Sequence, residues 1–337
     1  MSNYNSSDET TTLIVGTNGC ETEYDFVKLG SLIGQKLDKD CEVQLTAIPD
    51  NLNMFMIEFG IILSTYNFQN FKSDKSPEVN IDILDSEFST EIENKVKSIF
   101  WVRDMVNFPA LTKSPDFFQH KVEELIEGLD INLKSYDQEW IKENNMGGVI
   151  GVSQGSDRPP KFLVGEYNTK AKKQIALIGK GVLFDSGGLS LKSPAGMETM
   201  KTDMAGAATA WGIIALVAKE GLDIGLKVYT PIVENMPSGS AIRPGDILSM
   251  RNGKSIEVMN TDAEGRLIMA DALAYASESK PDIICDVATL TGAAYVALGV
   301  EIGAVFSNNK NTLESFLNSN DDGFENYHPL PLEQSYK

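Results

Sequence analysis

The octapeptide NTDAEGRL, residues 260–267, sets two carboxylates and a guanidinium, Asp262, Glu264 and Arg266, at every second position before the apolar run LIMADALAYA. Upstream, GKGVLFDSGGLSLK carries Lys180, Asp185 and Lys192, and MKTDMAGAA carries Asp203. Four carboxylates gathered in one place force protonation of one or more of them unless something neutralises the charge. Divalent cations do so. Two of them roughly 3.5 to 4 Å apart, bridged by carboxylates, form a recurring hydrolytic arrangement that binds hydroxide at neutral pH and polarises the bond to be cut. Oxygen ligands suit Mg²⁺, Mn²⁺ or Zn²⁺, and a nitrogen ligand shifts the preference toward the transition metals. The chain holds two histidines, His120 and His328, which excludes a histidine-rich zinc site. The nitrogen would therefore be a lysine that has lost its proton, attainable where burial and a dication depress its pKa.

Arg266 suggests a second use of charge. A helix beginning near it offers free N–H groups and a dipole that favour an anion, and the guanidinium is a planar fork for a carboxylate-shaped guest. A small oxyanion held there could act as the general base that no histidine provides.

Each residue alone has a plainer reading. Asp262 could cap a helix, and an isolated Arg266 is more often a surface ion-pair partner. The glycines at 179, 181, 187 and 188 could be ordinary turns or a phosphate cradle, although GKGVLFDSGG lacks P-loop spacing. Lys180 is harder to set aside, since a lysine at the end of a buried strand needs a partner.

The elements that position these residues follow from apolar patterning. QIALIG (174–179), LKVYTPIV (226–233) and DIICDVATL (282–290) read as strands. DMAGAATAWGIIALVAKEG (203–221) and RLIMADALAYASESK (266–280) read as helices, the second stopped by Pro281. This alternation predicts an α/β catalytic domain over 121–337, with a central, mainly parallel sheet flanked by helices. Ligands collect beyond the carboxyl ends of such strands, and all seven charged residues map to that edge. Residues 1–100 predict a smaller α/β domain with a helix at YDFVKLGSLIGQKL and strands at TTLIVG, VQLTAI, MIEFGIILSTYNF and VNIDIL. Residues 101–120, with the two prolines of NFPALTKSPDFF, read as a linker. A helix is expected at DFFQHKVEELIEGL (116–129), and the prolines of NNMGGVIGVSQGSDRPPKF disfavour one there.

A formal net charge of -19, from 48 acidic and 29 basic residues among 337, should repel phosphate backbones and anionic lipid and argues against a nucleic-acid partner. The polar start MSNYNSSDETTT lacks the features of a secretory signal, and no segment approaches the ~20 apolar residues of a membrane span. Three scattered cysteines, Cys20, Cys41 and Cys285, read as reduced thiols of a cytoplasmic protein.

Taken together, NTDAEGRL, GKGVLFDSGGLSLK, MKTDMAGAA and ENMPSGSAIRPGD, in this order and spacing, resemble the leucine aminopeptidase (cytosol aminopeptidase) family of two-metal exopeptidases. The resemblance runs from RDMVNFPALTKSP to HPLPLEQSY and is loose over residues 1–100. It implies that one metal is bound by Lys180, Asp185, Asp203 and Glu264, and a more exchangeable one by Asp185, Asp262 and Glu264, with Mn²⁺ or Zn²⁺ as the ions. Lys192 then contacts the substrate carbonyl, and Arg266 holds a bicarbonate general base. Met200, Thr289 and Gly292 line the pocket for the first side chain, and the Leu290 carbonyl receives the free amine. The reaction implied is hydrolysis of the N-terminal peptide bond, with a leucine-like first residue and a bridging hydroxide, in a cytoplasmic hexamer that takes peptides with a free N-terminus.

The resemblance also predicts that family members extend beyond this chain at both ends, which leaves the N-terminal domain partial and the catalytic domain incomplete at its C-terminus. Two rival functions remain open: a non-catalytic binding or regulatory protein of the same fold, and a carboxylate-metal phosphohydrolase.

Overall fold

The computed structural model describes residues 2–5, 11–17, 19–37, 40–46, 48–49, 52–75, 79–319, 325–333 and 335. Residues 6–10 of the polar N-terminal stretch lie outside the described residues, as do 334, 336 and 337 of the segment HPLPLEQSYK. The chain divides into two compact units: Lys97–Leu290, and a smaller one formed by Met1–Val96 with Thr291–Lys337.

In the smaller unit β1 (Ser2–Asn5) pairs antiparallel with β2 (Thr11–Ile14). Helix α1 (Glu23–Gly34) opens on a capping box in which Thr22 and Asp25 exchange hydrogen bonds. Then follow β3 (Cys41–Val43), α2 (Met54–Leu63) and β4 (Ile81–Ile83), with β3 and β4 parallel. Phe26, Leu29, Ile33, Ile57 and Ile61 form the core between α1 and α2. The strand predicted at MIEFGIILSTYNF is therefore corrected: most of it is helix α2, begun by Asn53, whose side chain accepts from the Met56 N–H at 3.3 Å. An unbroken apolar run carries no period, so packing against α1 decides its conformation.

Helix α3 (Ser89–Asn107) contains the division between the units, and α4 (Pro115–Ile126) starts on the Ser114 cap. The stretch 101–120, expected as a linker, is thus the end of α3, a turn and the start of α4. Next come β5 (Ile131–Tyr136), α5 (Gln138–Glu143), α6 (Gly147–Ser153), β6 (Lys161–Tyr167), β7 (Gln174–Gly179) and β8 (Gly181–Asp185). Helix α6 overturns the expectation that NNMGGVIGVSQGSDRPPKF holds no helix; its prolines fall after the helix has ended. The unit continues with α7 (Pro194–Met197), a 3-10 turn at Met200–Thr202, α8 (Ala205–Lys219), β9 (Gly225–Asn235), the hairpin β10 (Ile247–Ser249) with β11 (Ser255–Glu257), α9 (Glu264–Glu278) and β12 (Ile283–Val287). The returning segment of the smaller unit adds α10 (Gly292–Leu298), β13 (Ile302–Val305), α11 (Lys310–Asn318) and β14 (Asn326–Pro329), with β13 and β14 parallel.

The central sheet runs β12-β7-β9-β6-β5, with β8 also on β9. The pairings β12/β7, β7/β9 and β8/β9 are parallel, and β6/β9 and β5/β6 antiparallel. Alternation along the strands sends Phe162, Val164, Ala176 and Ile178 into a core with Val149 and Val152 of α6 and Leu267, Ile268 and Ala272 of α9. On the other face the indole of Trp211, in α8, donates to Thr230 Oγ1 at 3.0 Å. The fold is α/β, its sheet covered on both faces, with parallel pairings in the majority.

Strands β7 and β8 follow the same edge of β9, Ile178 opposite Tyr229 and Gly181 opposite Ile232. The sequence suggested that the strand ends at Gly179; instead it resumes after one residue. That residue is Lys180, whose N–H donates to Val287 O at 3.1 Å and whose carbonyl accepts from Ala207 N at 2.8 Å. Diverting both backbone groups to β12 and α8 anchors Lys180 at the carboxyl edge of the parallel strands.

Candidate metal centre

Four elements deliver the charged groups. Lys180 sits in the break between β7 and β8, Asp185 ends β8, Asp203 follows the 3-10 turn, and Glu264 is the first residue of α9. Ligand oxygens of Asp185, Asp262 and Glu264 lie within 4.8 Å of one another. Asp203 joins them through Lys180, whose Nζ lies 2.7 Å from Asp203 Oδ1 and 2.9 Å from Glu264 Oε1. Lys192 Nζ is 2.8 Å from Asp185 Oδ2 and also ion-paired with Asp262 Oδ1. Lys180, Asp185, Asp203 and Glu264 are buried; Asp262 and Lys192 are partly open to solvent.

Two ammonium groups thus answer four carboxylates, and the local imbalance shows in the titration of the cluster. Burial pushes the Glu264 carboxyl up to about 7, with Lys180 opposing and Asp185 and Asp203 adding to the rise. Asp203 is likewise raised by burial, against the pull of Lys180. Burial alone would lower Lys180, but Asp203 and Glu264 outweigh it and hold its pKa above the ordinary lysine value. The same contest, with Asp185 and Asp262 as partners, raises Lys192.

Asp203 Oδ2 and Glu264 Oε2 are buried with no hydrogen-bond partner among the described residues, whereas Asp262 Oδ1 is answered by the Lys192 ammonium. Unanswered carboxylate oxygens cost free energy when buried. Here they surround excess negative charge, and the donor set of carboxylates and one amine is that of a divalent cation site. The residues present fit such a cation.

The surroundings fix the carboxylates and the lysine. Asn235, the last residue of β9, donates through Nδ2 to Asp185 Oδ1 at 2.8 Å and to Thr261 O at 3.0 Å. Thr261 Oγ1 donates to Gly187 O at 2.6 Å and accepts from Ser190 N at 2.8 Å. Thr289 Oγ1 donates to Asp203 Oδ1 at 2.8 Å, and the Thr289 carbonyl accepts from Lys180 Nζ at 3.2 Å. Gly265 is required by close approach: a Cβ there would lie 2.4 Å from Lys180 Cε. Sequence reasoning missed Asn235, Thr261 and Gly265; a polar residue closing a buried strand was the available signal for Asn235.

Asp262 does not cap α9, since the cap position is Ala263. Of the four glycines, Gly179 and Gly181 lie in strands, and Gly187 and Gly188, with φ of 86° and 62°, make the turn after β8. Arg266 is exposed in the first turn of α9 and, among the described residues, has neither a hydrogen-bond nor an ion-pair partner, against its plainer reading as a surface ion pair. Met200 opens the 3-10 turn next to Asp203. Leu290 is exposed at the end of the larger unit, and Gly292 begins α10 in the smaller one.

Fold and site define an α/β protein that collects carboxylates and a lysine at the carboxyl edge of its sheet for divalent metal ions. Residues 100–337 match the cytosol aminopeptidase family, catalytic domain. The chain is 40% identical over 293 residues to a probable cytosol aminopeptidase of Syntrophotalea carbinolica, covering 82% of this chain and 59% of that protein. It is 43% identical over 255 residues to peptidase B of Yersinia pestis, covering 74% and 59%. Among solved structures, the cytosol aminopeptidase of Coxiella burnetii superposes with a TM-score of 0.86 at 31% identity, over 96% of this chain and 69% of that one. The bottromycin maturation enzyme BotP in complex with Mn superposes with a TM-score of 0.89 at 29% identity, over 99% and 76%. The chain belongs to the cytosol aminopeptidase family. It spans about three fifths of the length of these curated relatives.

Among the described residues no helix is long and apolar enough to cross a membrane, and no disulfide joins the three cysteines.

Proposed function

We propose that the chain carries the centre of a metal-dependent aminopeptidase that hydrolyses the N-terminal peptide bond of peptides, with a leucine-like first residue preferred. The observation that carries this reading is the pair of buried, unanswered oxygens, Asp203 Oδ2 and Glu264 Oε2, in a carboxylate set two positive charges short.

Lys180, Asp185, Asp203 and Glu264 would hold one cation, and Asp185, Asp262 and Glu264 a second, with Mn²⁺ or Zn²⁺ suited to the donors. The manganese complex of BotP supports manganese. When bound, a pair of dications supplies polarisation of the peptide carbonyl and a lowered pKa for a water molecule.

The chain's own groups do the rest. Lys192, which now ion-pairs with Asp185 and Asp262, is free to donate to the scissile carbonyl oxygen once those carboxylates are neutralised, stabilising the charge that develops there. The Leu290 carbonyl accepts a hydrogen bond from the substrate amine. Met200 and Thr289 flank the first side chain. Arg266, unpartnered among the described residues at a helix N-terminus, fits a bicarbonate ion, which supplies a proton-accepting oxygen when bound. Assembly into a homo-hexamer belongs to the same proposal and is read from the solution mass.

The test compares three substrates in Mn²⁺ or Zn²⁺: a leucine derivative with a free amine, its N-acetylated counterpart and a phosphoester. Release of leucine from the first alone is expected. Equal cleavage of the acetylated compound refutes the need for a free amine, and phosphate release alone overturns the aminopeptidase reading.

A further inference from the structure

Lys113 is fully buried, with no exposed surface, a rare state for a lysine and costly unless its polar atoms are answered. Among the described residues no carboxylate pairs with it. Its Nζ donates to two backbone carbonyls, Met105 O at 2.8 Å and Lys201 O at 2.7 Å. The first is available for a reason written in the sequence: the helical donor to Met105 O would come from residue 109, and Pro109 has no N–H. One residue earlier the helix is normal, with Phe108 N donating to Asp104 O at 2.9 Å. Lys201 returns the contact, its Nζ donating to Asn107 O, at the last residue of α3, at 2.9 Å. Two amines therefore meet the negative end of the α3 dipole.

The second carbonyl connects this arrangement to the metal centre. Lys201 lies in the 3-10 turn Met200–Thr202, which leads directly into Asp203; Asp203 N donates back to Met200 O at 3.4 Å. The turn is thus tied twice to residues 105–113, by Lys113 through its carbonyl and by Lys201 through its side chain. Burial, with the Lys201 ammonium adding to it, pulls the Lys113 amine down to about 7. Two N–H groups of the amine are received by the two carbonyls.

We propose that Lys113 is a positioning residue for Asp203: its amine, caged by the Met105 and Lys201 carbonyls, fixes the turn from which Asp203 reaches the carboxylate cluster. This rests on the metal-centre reading above.

Lys113→Met keeps the length and apolar stem and removes the donors. The test is calorimetric titration of the chelator-treated full chain with Mn²⁺, wild type against Lys113→Met, with Ile141→Val as a core variant remote from the turn. Affinity should fall about tenfold in Lys113→Met, as when an outer-shell partner of a metal ligand is lost, and stay at the wild-type value in Ile141→Val. An unchanged affinity in folded Lys113→Met overturns the proposal, and so does an equal loss in Ile141→Val, which would mark general loosening. A wild-type chain that binds no Mn²⁺ refutes the metal-centre reading and the inference with it, whereas wild-type binding with an unmoved Lys113→Met refutes the inference alone. If Lys113→Met does not fold by circular dichroism, Lys201→Met, which deletes the return bond to Asn107 and the ammonium beside Lys113 while keeping the backbone carbonyl that Lys113 holds, decides the matter: Mn²⁺ binding weaker than wild type supports a turn tied to residues 105–113, and no change overturns the proposal.

Discussion

Asn235 and Asp185 face each other at the carboxyl ends of neighbouring parallel strands, joined by a 2.8 Å hydrogen bond from Nδ2 to Oδ1. The same amide reaches Thr261 O, next to Asp262, so one side chain holds two carboxylate-bearing segments in register. Asn235→Leu keeps the bulk and removes both bonds. Its Mn²⁺ affinity should fall by about 10- to 100-fold with the far-ultraviolet spectrum unchanged; an affinity equal to wild type removes Asn235 from the list of orienting residues.

Glu264 and Arg266 are two residues apart and should separate binding from chemistry. Glu264→Ala removes a carboxylate assigned to both cations and is expected to abolish bound metal and activity together, as read by elemental analysis and leucine release. Arg266→Ala should leave the metal content intact and slow turnover about 100-fold, the lower range for loss of a general base. Loss of metal from Arg266→Ala would contradict its assignment as an anion site.

Gly265→Ala sets two effects against each other. In a helix the change alone would stabilise by about 1 kcal/mol. Here the new methyl would fall 2.4 Å from Lys180 Cε, on a side chain held by Asp203 and Glu264. We expect the overpacking, about 1 to 3 kcal/mol, to win over that gain, for a net loss of up to about 2 kcal/mol in urea unfolding and weaker Mn²⁺ binding. A variant more stable than wild type would mean that Lys180 has room to move.

The buried Lys113 amine should leave a pH signature. Unfolded, it keeps its proton up to its ordinary pKa of 10.5; folded, burial lets the proton go near 7. Between those values the unfolded chain binds more protons, so this group makes stability rise with pH from about 7 toward 10.5 and contributes no slope below. The charged group facing it is Lys201, whose ammonium acts in the same direction. Measured as the difference between wild type and Lys113→Met in chemical unfolding, the wild-type curve should climb relative to the variant across that window. Parallel curves would show that Lys113 stays protonated.

The charged residues of the centre were legible because they carry their chemistry in their side chains and sit where strands give way to helices. Lys180, Asp185, Asp203 and Glu264 could be assigned to one sheet edge from patterning alone. The residues that hold them could not. Asn235, Gly265 and Lys113 act through partners 50, 85 and 88 positions away, at Asp185, Lys180 and Lys201, and composition carries no trace of such pairings. Helix α2 was missed for a different reason: MFMIEFGIIL is apolar at nearly every position, so neither a period of 2 nor one of 3.6 stands out. The single-residue break at Lys180 depends on Val287 and Ala207 capturing its backbone, a tertiary event with no local sign.

Lys180 and Lys192 already stand among the carboxylates as resident counter-ions. Chelation should therefore leave two of the four carboxylate charges unmet rather than all four, and cost the fold less than a centre without resident cations would lose. A single preparation can then be recharged with manganese, zinc or cobalt in succession, so that any contrast in rate between the ions belongs to the ions and not to separately folded batches.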